Sequence, residues 1–284
     1  MAGLSTGAGA GHGIGRVLII AGSDSGGGAG IQADIKTVTV LGGYAATAIT
    51  AVTAQDTVRV HALVPMSPAF VAQQIEVVLD DLGADCIKIG MLWNAPIIAA
   101  VAAALQRKAT GIPLVLDPIL TASDGSALLD PRAGAQLREC LFPRTAVLTP
   151  NLPEAEHWTG VRIGDEAAML DAARALLALG PQAVLLKGGH LPGTAISDVL
   201  VAQTGVEVFR RPRIDTRHLH GTGCTLASAV ATGLARGLPL RDAVRRAEAF
   251  LAQAIACAPG LGRGRGPLGP AAGQRPGISD AASN

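Results

Sequence analysis

RVLIIAGSDSGGGAGIQAD (16–34) opens on a β-branched run, turns through four glycines between positions 26 and 30, and closes on a helical pattern. A short apolar run that passes through glycines into a helix reads as a buried strand feeding a strand–helix unit. CIKIG (86–90), PLVLD (113–117), AVLT (146–149) and AVLLKGG (183–189) repeat the strand shape. Helix-period stretches lie between them. In one, Ser67 and Pro68 form the N-cap and first turn, and Val71, Ile75, Val78, Leu79 and Leu82 share one stripe. Similar patterns cover 94–107, 130–141 and 166–179. Such alternation requires right-handed crossovers, and so predicts an α/β fold with a mostly parallel central sheet and helices on both faces. Ligands then bind at the carboxyl ends of the strands. YAATAITAVTAQ (44–55) and VRVHALVP (58–65) read as extra strands or a small flap.

The chain has 284 residues, 49% of them hydrophobic but only 2% aromatic, so its core must be built from Ala, Val, Leu and Ile. A net charge of +1 with no long Lys/Arg run argues against nucleic acid or an anionic membrane held by charge, and leaves small molecules as the expected partners. The four cysteines include no CxxC pair, which fits a reducing, cytoplasmic setting. Residues 1–15 read as a flexible tail, 16–258 as one folded unit, and 259–284, dominated by Gly, Pro and Ala, as a disordered tail. No hydrophobic run is long enough to span a bilayer.

Two glycine turns are the first site candidates. Gly26, Gly27, Gly28 and Gly30 would bare peptide N–H groups at a strand-to-helix turn, although a tight turn alone accounts for such a cluster equally well. The segment fits no dinucleotide fingerprint, since the position needing glycine is Ile31, and no GK[ST] occurs anywhere. In HGTGCTLASA (220–229), Gly221, Thr222, Gly223 and Cys224 would aim successive amides at one point, which suits a phosphoryl group in flight. Cys224 sits in the first helical turn, where the dipole favours a thiolate able to act as base or nucleophile; a buried structural thiol is the alternative. Asp117, Asn151, Glu154 and Lys187 each fall just past a strand end. Two carboxylates, an amide and an ammonium suit Mg²⁺ and polyphosphate, though each alone could be a cap or surface charge. The six histidines show no metal-ligand spacing, so Mg²⁺ is the one metal expected.

AGSDSGGGAGIQADIKT, VTAQDT, KIGML, LDPI, LTPNLPEAE, LLKGGH and HGTGCTLASA occur in that order, and the set resembles the hydroxymethylpyrimidine/phosphomethylpyrimidine kinases of thiamine biosynthesis over roughly 16–258. The resemblance implies a three-layer α/β/α ribokinase-like fold, ATP and Mg²⁺ as cofactors, and a pyrimidine substrate phosphorylated first as the alcohol and then as the monophosphate. It implies that Gln55 reads the pyrimidine edge, with Gly22, Asp34, Met91 and Ile119 completing the pocket. Asn151 and Glu154 would organise metal and phosphate, Lys187 would face phosphate, and Asp117 would assist at the metal. Cys224 stands where most ribokinase-like enzymes carry a catalytic aspartate, behind the anion hole of Gly221, Thr222 and Gly223. A homodimer is compatible with the resemblance.

Three departures from the family pattern stand out: Gly26 for a serine, Leu219 for a threonine, and a GRGRGPLGP ending without the terminal histidine of many relatives. Pyridoxal/pyridoxine kinases share the Cys-containing loop, and both substrates are flat heterocycles with a hydroxymethyl group. That activity is the enzymatic alternative. A ligand-binding regulator that has lost phosphoryl transfer is the non-enzymatic one, and the intact Gly221–Cys224 loop and Lys187 speak against it.

Overall fold

A computed structural model describes residues 13–122 and 124–269. In chain order the elements are β1 (Gly15–Asp24), α1 (Gly30–Val40), β2 (Gly43–Gln55), β3 (Val60–Pro65), α2 (Pro68–Asp81), β4 (Cys86–Ile89) and α3 (Ala95–Lys108). There follow β5 (Leu114–Leu116), α4 (Gly134–Leu141), β6 (Val147–Leu148), α5 (Leu152–Thr159), α6 (Glu166–Leu177), β7 (Ala183–Leu186), β8 (Ala195–Ala202), β9 (Gly205–Pro212), α7 (Thr222–Ala235) and α8 (Leu240–Ala256). The nine strands form one sheet in the order β3-β2-β1-β4-β5-β6-β7-β8-β9. All neighbours from β2 to β7 run parallel, while β3 at one edge and the β8–β9 hairpin at the other run antiparallel.

Strand alternation sorts the core into two layers. Leu18, Ile20, Ile87, Ile89, Leu114 and Leu116 face the side covered by α2 to α6. Val17, Ile19, Ala21, Cys86, Val115 and Leu185 face α1, α7 and α8. Successive side chains of a strand point to opposite faces, so each strand, buried on both sides, reads as an unbroken apolar run. This is the three-layer arrangement expected from the sequence. Helix starts also follow the local signals: the Ser67 side chain accepts from Phe70 N, and Asn94 from Ile97 N.

The chain leaves β1 toward β2 on one side and later returns to place β4 on the other. The sheet therefore has its switch point between β1 and β4, where the strand ends open a crevice.

One pair of strands is not foreseen in sequence, and one expectation changes. The β8–β9 hairpin, ending in the part-polar run GVEVFRRP (205–212), has no clean period in sequence and becomes a strand pair only by lying against β7. The segment 259–269, expected as part of a tail, is packed: Leu268 is buried, Gly269 N donates to Ala254 O at 3.0 Å, and Pro267 bridges to His220. At the other end β1 already includes Gly15. The rest of the two proposed tails, 1–12 and 270–284, lies outside the described residues.

Under the hairpin, Arg211 donates to Glu248 Oε2 at 2.8 Å and to Asp198 Oδ2 at 3.1 Å. Glu248 Oε1 has no partner among the described residues. Burial pushes the Glu248 carboxyl up to about 8, Asp198 adds to the rise, and Arg211 opposes it. A carboxyl raised on folding binds its proton more tightly in the folded chain. Its stabilising contribution is therefore complete below the ordinary value of 4.5 and disappears as pH rises through about 8. Glu248→Gln should accordingly gain in melting temperature relative to the wild type as pH rises across that window. A constant difference between the two chains would mean that Glu248 does not titrate there.

Candidate active site

The first glycine turn is built on Asp24, the last residue of β1. Its carboxylate accepts from Gly26 N at 2.8 Å, Gly28 N at 3.1 Å and Ala29 N at 2.8 Å, and from His220 Nε2 at 3.0 Å. Burial alone would raise this carboxyl, but His220 and the amides of Ala29 and Gly26 hold it below its ordinary value. One side chain thus fixes the turn and ties it to the residue preceding the second turn.

The second turn presses on the first. Gly221 has φ 87°, and a Cβ there would lie 1.9 Å from Gly28 O; a Cβ on Gly28 would lie 2.4 Å from His220 Cδ2. Only glycine fits either place. Gly221 is the N-cap of α7, and its lack of a side chain leaves the helix start without a capping side chain. The N–H groups of Gly223 and Cys224 have no acceptor among the described residues. They are the free donors that every helix N-terminus carries, with the positive end of the helix dipole behind them.

Facing these amides are the ends of β5, β6 and β7. Lys187 Nζ donates to Asp117 Oδ1 at 2.8 Å, and Thr149 Oγ1 donates to the same oxygen at 3.0 Å. A Cβ on Gly223 would sit 3.3 Å from both Asp117 Oδ2 and Lys187 Nζ, so the bare glycine keeps this gap open. Asn151 caps α5 in a reciprocal box: its Oδ1 accepts from Glu154 N at 2.9 Å, and Glu154 Oε2 accepts from Asn151 N at 2.8 Å. The capping role, one of the readings open in sequence, is therefore real, and it places Glu154 beside Asp117 and Lys187. Burial pushes Glu154 up to about 7, Lys187 opposes the rise and Asp117 adds to it. Burial disfavours the Lys187 ammonium, yet Asp117 and Glu154 together keep it above its ordinary value.

Most of these groups line one cavity of about 790 Å³ at the carboxyl edge of the sheet. Gly22, Gln55, Met91, Ile119, Asp117, Asn151, Glu154, Lys187 and Gly221 through Cys224 are all in its wall. A Cβ on Gly22 would meet the Met91 methyl at 2.2 Å, so glycine makes room for Met91 to form the floor. Gln55 closes the far side, its amide nitrogen 3.3 Å from His220 Nε2 and its oxygen accepting from Thr53 Oγ1 at 3.1 Å.

Asp34 is displaced from its expected place, and Cys224 has surroundings that differ from those expected. Asp34 does not line the cavity: it is wholly buried beneath it, held by Lys88 Nζ at 2.8 and 2.9 Å and by Ser228 Oγ at 2.7 Å. Asp34 has no exposed surface, and it touches the cavity only through Lys88, which is in the wall. Cys224 lines the cavity as expected, in surroundings that disfavour its thiolate. Burial pushes the thiol up to about 11, more than Lys88 and the Gly30 amide can offset, so the helix dipole does not yield a thiolate at neutral pH.

The sequence reading missed Lys88, Asp24 and His220. Lys88 carried a signal: it is the one charge inside an otherwise apolar strand, and such a residue must find a partner. Asp24 and His220 are 196 positions apart and gave none.

Taken together, a three-layer α/β sandwich with an anion-ready helix start opposite a lysine at the strand ends defines a small-molecule kinase of the ribokinase-like class. The structural matches agree. An ADP complex of Bacillus subtilis pyridoxal kinase superposes with a TM-score of 0.84 at 35% identity, covering 91% of this chain and 98% of that one. A phosphomethylpyrimidine kinase from Clostridium difficile gives 0.75 at 38% identity, over 84% of this chain and 99% of that one. Within that class the chain belongs to the phosphomethylpyrimidine kinase family, whose sequence pattern it matches over residues 24–269. The hydroxymethylpyrimidine/phosphomethylpyrimidine kinase of Rhizobium meliloti is 50% identical, over 88% of this chain and 95% of that protein. A thiamine biosynthesis bifunctional protein of Geobacter sulfurreducens is 49% identical over 89% of this chain, which spans 52% of that longer protein. No helix among the described residues is long and apolar enough to cross a membrane.

The raised Cys224 thiol makes a direct prediction. Iodoacetamide at neutral pH should alkylate Cys140 and Cys257 ahead of Cys224, whose rate should climb only as pH approaches about 11. Peptide mass mapping reads the order, and rapid neutral labelling of Cys224 would contradict the burial argument. The Gly221→Ala chain, which combines positive φ with a backbone collision, should lose turnover altogether and melt at a lower temperature.

Proposed function

We propose that this chain transfers the γ-phosphoryl group of ATP to 4-amino-5-hydroxymethyl-2-methylpyrimidine and then to its monophosphate, yielding the pyrophosphate used in thiamine synthesis. The observation that carries this reading is the gap between the free amides of Gly223 and Cys224 and the Lys187–Asp117 pair. A phosphoryl group in transfer develops charge on its equatorial oxygens, and donors fixed in advance around that point stabilise it without reorganising. Gln55, in the wall of the same cavity, has an amide able both to donate and to accept toward a pyrimidine edge. Gly22, Met91 and Ile119 supply apolar walls for a flat ring.

In this reading the acceptor oxygen forms its bond to the γ-phosphorus as the bond to the leaving ADP oxygen breaks, and the acceptor proton passes to a phosphoryl oxygen. Cys224, protonated at neutral pH, positions the acceptor and is not its base. Asp117 and Glu154 fit a role as holders of Mg²⁺, directly or through water: they are adjacent carboxylates, and Glu154 is raised partly by Asp117, so the pair has room for further positive charge. Mg²⁺ bound with ATP would neutralise phosphate charge.

A pyridoxal kinase activity is the second reading, favoured by the higher TM-score to the Bacillus subtilis pyridoxal kinase. A panel of MgATP with the pyrimidine alcohol, its monophosphate and pyridoxal, read by ADP release and product mass, separates the two. Turnover of pyridoxal alone, or no ADP from any substrate, would overturn the pyrimidine assignment. Lys187→Ala should lower kcat by about 10²–10³-fold, the scale of one removed transition-state donor, while calorimetric pyrimidine binding persists. Gln55→Ala should instead raise the pyrimidine KM by an amount worth about 1–3 kcal/mol and leave the ATP KM in place. Cys224→Ala should keep most of its activity.

A further inference from the structure

The segment GRGRGPLG (262–269) is a strap, pinned at several points. Arg265 N donates to Thr57 O at 2.8 Å, Gly264 N donates to Thr57 Oγ1 at 3.1 Å, and Gly266 O accepts from His220 N at 3.2 Å. The strap thus runs between the loop that follows β2 and the start of the second glycine turn. Its glycines are dictated by contact: a Cβ on Gly264 would lie 2.1 Å from Thr57 O, and one on Gly266 would lie 2.3 Å from His218 Nδ1. Ordering a glycine-rich segment is entropically costly, and here it fixes the backbone on both sides of Arg265.

Arg265 lines the main cavity and also a smaller one of about 220 Å³ that it shares with Asp56, Thr57, Arg59 and Asp124. Its guanidinium has neither a hydrogen bond nor an ion pair among the described residues. Apart from Arg217, whose guanidinium likewise has no partner among the described residues, the other cavity cations are occupied. Lys88 is held by Asp34, Lys187 by Asp117, and Arg211 by Asp198 and Glu248. Arg213 donates to the carbonyls of Gly189, Leu191 and Gly193. Arg265 lies near enough to His190, together with Lys187 and Arg213, to help drive that imidazole below its ordinary value. The cavity wall therefore carries a guanidinium that shares the smaller cavity with Gln55 and His220 and whose charge is felt at His190. A planar fork of donors held at such a point is suited to phosphate oxygens.

We propose that Arg265 is an anion-binding residue of this site, presented by the fixed strap so that its guanidinium closes on a phosphate group of the bound ligand. The proposal deepens the kinase reading and rests on it. The phosphate belongs either to the nucleotide or to the phosphorylated acceptor, and the two sources differ in which affinity Arg265 controls.

Calorimetric titration of the full-length chain and of its Arg265→Gln variant with ADP, with inorganic tripolyphosphate and with the pyrimidine monophosphate tests it. The variant should lose roughly 10- to 100-fold in affinity, the range of a charge-assisted hydrogen bond, for at least one of the three, with Arg265→Lys in between. Weakened ADP and tripolyphosphate binding identifies the nucleotide phosphates; weakened monophosphate binding alone identifies the acceptor. Unchanged affinity for all three overturns the proposal. Phenylglyoxal labelling of the wild type gives a reading independent of any effect of glutamine on the strap. ADP or the monophosphate should shield Arg265 while leaving the neighbouring Arg263 open, and equal labelling of Arg265 with and without ligand also overturns it. If the wild type turned over no pyrimidine, the proposed function would fail, but the ADP and tripolyphosphate titrations would still report on Arg265.

Discussion

Backbone pressed on backbone at Gly221 and Gly28 is the constraint on which the rest of the site depends. The α-carbon of Gly221 sits so close to Gly28 O that no side chain could intervene, and φ 87° at Gly221 aims the start of α7 into the crevice between the strand ends. Because the two turns touch, the groups they carry share one wall. Cys224 at the head of α7 lies against the Gly30 amide, and His220 reaches Asp24 across the seam. An alanine at either glycine would push the turns apart, and with them the anion-binding end and the Gln55 end of the cavity.

What holds the turns in register from below is charge. Lys88 on β4, Asp34 on α1 and Ser228 on α7 form a buried cluster at the base of the cavity, where Lys88 is part of the lining, joining one strand to two of the helices whose N-termini face it. Burial penalises the Lys88 ammonium, but the Asp34 carboxylate keeps it protonated. Such a pair contributes little against an apolar equivalent, yet losing one partner strands a buried charge at a cost of about 3–5 kcal/mol. Its geometric demand is strict: α1 and α7 cannot slide relative to β4 without breaking it. The same logic recurs at the other end of the sheet, where Arg211 on β9 ties Asp198 on β8 to Glu248 on α8.

The depth of Asp34 and the raised thiol of Cys224 share one cause. Both residues stand at positions matching a family motif, and motif position says nothing about depth. Asp34 follows the first glycine turn by one helical turn and so points down into the layer between α1 and β4, where Lys88 waits. Cys224 is in the first turn of α7, where the dipole favours a thiolate, but the desolvation felt by a residue 7% exposed outweighs it.

The sequence by itself determined the layered α/β architecture, because strands buried on both faces must be continuous apolar runs and their partner helices must carry one apolar stripe. It also determined the candidates at the strand ends, since Asp117, Asn151, Glu154 and Lys187 each follow a readable strand. Tertiary structure alone decided which distant residues meet. Asp24 and His220 pair across 196 positions, Lys88 finds Asp34 across 54, and Thr57 anchors a strap more than 200 residues later that composition alone reads as a tail. Those contacts depend on the order in which strands enter the sheet and on how closely two glycine turns can approach. Neither quantity is written in a local period; both arise when the chain closes on itself and buried polar groups must find partners.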